Sequence, residues 1–147
     1  MKGTSLRAVV AMAVLAIGIY FFVITPGNEP TEAPPATETK IWPDKVDAIA
    51  KMKTTMYAIV EAEKNRKALG GSFISCSPNP TEVPDTRVTW KRSDAEGWEE
   101  LDVAMPRESW FQYEVVVTGD DTFDVYARTN AEGKPLEFVI DQDMNFR

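Results

Sequence analysis

The sequence predicts an α+β domain preceded by a membrane-spanning segment. Three observations carry that reading: an uncharged apolar run near the N-terminus, one amphipathic helical pattern, and a later succession of alternating strands separated by short turns. The chain has 147 residues, which suits one ordinary domain with appendages.

Residues 1–7 precede the apolar run and carry Lys2 and Arg7. Residues 8–24 read AVVAMAVLAIGIYFFVI without a charge. As a helix this run spans about 26 Å, slightly short of a hydrocarbon core of about 30 Å, and Ser5, Leu6 and Thr25 extend it. Tyr20, Phe21 and Phe22 lie where an interfacial aromatic belt would sit, and basic residues precede the run rather than follow it. The positive-inside rule then places 1–7 in the cytoplasm and the rest of the chain outside. A cleaved signal peptide would end on a small-x-small site, whereas the exit here reads Val23-Ile24-Thr25-Pro26-Gly27-Asn28. The expectation is a single-pass signal-anchor in the inner (cytoplasmic) membrane, with the C-terminal domain periplasmic or extracellular. The membrane is thus a partner through residues 8–24.

Residues 25–43 read as a linker, with Pro26, Pro30, Pro34, Pro35 and Pro43 among Thr, Glu and Ala. Such a composition buries little apolar surface and favours extended, polyproline-like backbone.

Residues 44–147 are the predicted domain. Asp44 to about Leu69 reads as an amphipathic helix, with Asp44 as N-cap and Asp47 in the first turn. Ile49, Met52, Met56, Ile59 and Val60 form its apolar stripe, with Tyr57 beside them; Lys51, Glu61, Lys64 and Lys67 lie largely off it. Gly70-Gly71 is the stop. Ser72 to Arg107 reads as irregular, punctuated by Pro78, Pro80, Pro84 and Pro106, with a short strand at Arg87–Trp90. Three strands follow: Phe111–Thr118, Thr122–Thr129 and Leu136–Asp141, joined by turns at Gly119-Asp120-Asp121 and Asn130–Pro135. Short turns between consecutive strands give an antiparallel meander of three to four strands, with the helix packed on one face.

The formal net charge is −7. There is no basic stripe of the kind that binds nucleic acid, so no nucleic-acid partner is expected. The absence of histidine removes histidine-based triads and histidine-ligated zinc. No residue set calls for an enzyme, a cofactor or a metal. Asp120-Asp121 and Asp141-Gln142-Asp143 could hold calcium, but an EF-hand loop is missing and solvated turn residues are the simpler reading. Glu99, Glu100 and Asp102 could serve as an acid and base pair only in a cleft, and read as a polar loop. Ser72, Ser75 and Ser77 have no catalytic partner motif. Cys76 is the single cysteine: buried it is a small hydrophobe, and exposed in an oxidising envelope it would link two chains. Trp42, Trp90, Trp98 and Trp110 supply either core and sheet cover or an aromatic binding surface for a small ligand or carbohydrate, with Trp42 placed to dock the linker's end onto the domain.

Several segments resemble type IV pilin-like and pseudopilin-like proteins. They are the helix leading through Lys67-Ala68-Leu69-Gly70-Gly71-Ser72-Phe73 to Cys76 and Asn79-Pro80; Gly97-Trp98-Glu99-Glu100-Leu101 followed by Pro106 and the aromatic strand at Tyr113; and Phe123–Ala127, a polar turn, then Phe138-Val139-Ile140-Asp141. The likeness covers 44–147 loosely and rests chiefly on the order of parts. It implies an amphipathic helix on an antiparallel sheet, a structural or protein-interaction role in the cell envelope, and partners among pilus or type II secretion proteins. The N-terminus departs from the family. Lys2-Gly3-Thr4-Ser5-Leu6 resembles a worn processing site, but Ala8 stands where the family has an acidic residue, and the linker interrupts what would be one long helix. The reading is a pilin-like domain on a permanent, non-standard anchor.

Overall fold

The computed structural model describes residues 42–147, so the predicted anchor and nearly all of the linker lie outside the described residues. Among the described residues no helix is long and apolar enough to cross a membrane.

Helix α1 spans Lys45–Ala68. Its buried face is Ala48, Met52, Thr55, Met56, Ile59, Val60 and Glu63. The predicted stripe is thus the core face, except that Ile49 is half-buried and Tyr57 is turned out to 39 % exposure. Asp44 occupies the N-cap position but does not cap. Its backbone is left-handed (φ 61°) and its carboxylate makes no capping hydrogen bond, facing Arg87 at 4.0 Å instead. The other end closes as the glycine pair demands. Gly70 takes φ 87°, Gly71 N–H donates to Arg66 O and Gly70 N–H to Lys67 O, so these two late carbonyls are satisfied.

Six strands follow: β1 (Cys76–Asn79), β2 (Val88–Thr89), β3 (Glu108–Ser109), β4 (Gln112–Gly119), β5 (Thr122–Thr129) and β6 (Leu136–Asp141). The main sheet has four antiparallel strands in the order β1-β4-β5-β6. β2 and β3 form a separate antiparallel pair. The segment expected to be irregular therefore contributes the fourth strand of the sheet at Cys76–Asn79. Cys76, expected in a loop, opens that strand. Pro78 argued against a strand there, but β1 is an edge strand, where a missing N–H is tolerated. The Arg87–Trp90 strand is shorter than expected and joins β3 rather than the main sheet.

Alternation decides which face of the sheet meets the helix. Phe123, Val125 and Ala127 of β5 are each 0 % exposed, as is Ile140 of β6. Tyr113 and Val115 of β4 are buried with them. Period-two geometry sends Glu114, Asp124, Tyr126, Arg128 and Glu137 to the opposite face. There Arg128 bonds Glu137 through Nε at 2.6 Å and Glu114 through Nη1, and its guanidinium lies 4.8 Å from the Tyr126 ring centroid. The open edge of β6 is partly covered by the C-terminus: Phe146 bridges to Ile140, and Arg147 N–H donates to Val139 O.

Candidate functional site

The tryptophans decide between core and binding surface largely by their burial. Trp98 is 0 % exposed and Trp90 7 %, and the two rings meet edge to face at 5.3 Å. Trp98 Nε1–H donates to Ser77 O at 2.7 Å and Trp90 Nε1–H to Asn79 O at 3.3 Å. Both indoles therefore clamp the 90–101 segment onto the outer side of β1 and offer no aromatic platform. This corrects their candidacy as exposed ligand-binding rings: their polar atoms are already spent on strand carbonyls, the usual state of a buried indole.

Trp42 and Trp110 behave differently. Trp42 is buried and docks on the domain as expected, its ring 5.7 Å from Trp110 and 5.6 Å from Phe111. Trp110 is half-buried and lines a groove of about 410 Å³ between the first turns of α1 and the β2–β3 pair. The groove floor is Met52, Phe111 and Tyr113, and its rim carries charges of both signs. Arg87 lies 5.9 Å from the Trp110 ring centroid and reaches Glu108 at 3.9 Å and Asp44 at 4.0 Å. Lys51 pairs with Asp47 at 2.8 Å. The buried indole N–H groups of Trp42 and Trp110 have no hydrogen-bond acceptor among the described residues. An apolar floor with a mixed-charge rim suits a neutral or zwitterionic ligand more than a strongly ionic one.

The candidate carboxylates are dispersed. Asp121 pairs with Lys67 at 3.0 Å, and Lys67 also donates to Asp120 O, tying the β4–β5 turn to the end of α1. Asp141 accepts from the backbone N–H of Asn145 and Asp143, each at 2.9 Å, and these bonds hold its carboxyl below the usual range. It organises the C-terminal turn. Glu100 meets Arg66 at 3.5 Å, and Glu99 and Asp102 are exposed. Among the described residues no group of three or more Cys, Asp or Glu side chains is arranged to hold a metal ion. Ser75 Oγ accepts from Val117 N–H at 3.1 Å, joining β1's approach to β4.

Cys76 is 1 % exposed, and burial first, with Glu63 and Glu100 adding negative charge, pushes its thiol up to about 12. So enclosed, Cys76 packs as a small hydrophobe of the core.

The sequence reading overlooked Glu63. It continues the apolar stripe (seven residues beyond Met56 and four beyond Ile59), a spacing that would have flagged it. It is 0 % exposed, its Oε2 accepts from Ile74 N–H at 3.2 Å, and its Oε1 has no hydrogen-bond partner among the described residues. Burial, offset only in part by that bond and by Arg66, pushes its carboxyl up to about 7.

Compared with protein-family models, curated proteins and solved structures, the chain matches none.

Proposed function

We propose that this chain is a membrane-anchored cell-envelope protein. Its extracytoplasmic domain is pilin-like and serves protein interaction, with a pilus or type II secretion component as partner. The observation that carries the reading is the order of parts. An uncharged run at 8–24 is followed by a proline-rich stretch, then by one amphipathic helix packed on an antiparallel meander. The apolar residues of α1 and the strands are taken up by each other's burial. The sheet face away from the helix, with Tyr126 and the Glu114–Arg128–Glu137 ladder, is the surface a folded partner would reach. A photo-crosslinking residue in place of Tyr126 tests this in cells. The expected result is a crosslink to a pilus or secretion-system subunit. Crosslinks to none of these, in cells assembling such a system, would contradict the reading.

The groove beside Trp110 favours a second reading, a tethered module for a small ligand or carbohydrate. Under that reading Trp110→Ala abolishes ligand-induced change in tryptophan fluorescence, whereas replacement of Tyr126 leaves it intact.

A further inference from the structure

The segment between α1 and β1 is held to the helix by two side chains on adjacent turns. Glu63 accepts the Ile74 N–H, and Arg66 Nε donates to Ser72 O at 3.0 Å. A third contact comes from above. The turn at Gly97 sits so close to β1 that a Cβ there would fall 2.5 Å from Ser75 O, and Ser77 N–H donates to Glu96 O. Arg66 also reaches Glu100 on that same turn at 3.5 Å. Two carboxylates thus compete for one guanidinium: Glu100 at the surface, and Glu63 within, its Oε1 unpartnered. Beside Arg66 and Glu100 lies a cavity of about 450 Å³, also lined by Ala62 and Gly71.

We propose that residues 70–76, with the Gly97 turn seated on them, form a pH-gated clasp that is closed while Glu63 keeps its proton and loosened once Glu63 is ionised. A neutral carboxyl is tolerated in the core with one hydrogen bond; a carboxylate there leaves a bare charge on Oε1. The cation in reach is Arg66. Drawn inward, it gives up Ser72 O and Glu100, and both the strap and the turn above it lose their tie. Arg66, from its own helix, acts on Glu63 directly, while Glu63 and Glu100, from the turn, both act on Cys76 of β1. Cys76 stays a thiol throughout the range concerned, since burial holds it up at about 12.

The direction follows from proton linkage. Glu63 titrates near 7 in the closed form, against 4.5 for a solvated glutamate, so the closed form holds the extra proton between those values. Opening is therefore least favourable below about pH 4.5, grows tenfold per unit as pH rises, and levels off above about 7. Between pH 5 and pH 8 the open population rises roughly 70-fold.

Amide hydrogen exchange of the intact domain at pH 5 and pH 8 reads this directly, as the protection factor of Ile74. The expected result is a fall of roughly 70-fold in wild type and none in Glu63→Gln, whose amide oxygen keeps the bond to Ile74 without a titrating proton. Equal Ile74 protection at the two pH values in wild type would overturn the proposal. Should Glu63→Gln not fold, wild type carries its own control in Val125, in the middle of the sheet. Ile74 losing protection while Val125 keeps it supports a local clasp; the two falling together would overturn it. None of this depends on the proposed partner or tether.

Discussion

Met56→Asp is expected to destabilise the domain by about 4 kcal/mol, a large part of the stability of a typical domain. Met56 is 0 % exposed at the centre of the face that α1 turns to the sheet. An aspartate there removes a flexible apolar side chain from the core and places a carboxylate within the apolar cluster. Glu61→Ala, on the exposed side of the same helix, is expected to change stability by no more than about 0.5 kcal/mol. Denaturant midpoints of the two variants separate the cases. Small and equal shifts would mean that the stripe is not core, and would recast it as a docking surface.

Gly97→Ala is expected to cost about 3 kcal/mol, an unusual loss for one added methyl group. Gly97 takes φ 88°, a left-handed conformation that L side chains rarely adopt. Its Cβ would also fall 2.9 Å from Cys76 Cα and 3.1 Å from Cys76 Sγ, besides the 2.5 Å approach to Ser75 O. The two nearest of these atoms are backbone and cannot swing aside. The turn must lift, and Trp98, the next residue and 0 % exposed, would lift with it. Gly133→Ala separates the two contributions, because Gly133 is also left-handed (φ 73°) but a Cβ there meets nothing within 4 Å. It is expected to cost about 1 kcal/mol. Thermal melts of the pair check this; equal losses would mean that close packing over β1 contributes nothing.

Local pattern made some of this fold legible and hid the rest for identifiable reasons. β5 and β6 have the ends that alternation and turn residues predict, because each lies between two clear turn signals and buries one face. β4 begins one residue later than expected, at Gln112, since Phe111 is buried by the fold around Trp42 and not by the ladder. β1 was hidden because its burial comes from distant residues, Trp90 and Trp98, which donate to its carbonyls. Asp44 had the right residue type for a cap and the wrong backbone, which only the neighbouring chain path reveals. Glu63 was hidden by chemistry: helical period places it on the buried face, but an acid at such a position is usually assigned to solvent. The Trp110 groove is formed by residues far apart in sequence and leaves no local trace.

The central functional claim, a domain held outside the cytoplasm by residues 8–24, is tested most directly by the topology of the full-length protein in cells. Membranes are washed in alkaline carbonate, and protease is added to spheroplasts with the cytoplasmic membrane intact. The account predicts that the chain stays in the washed membrane and that the added protease removes the 42–147 domain from the outer side. A chain released by the wash, or a domain digested only after the membrane is broken, would contradict it.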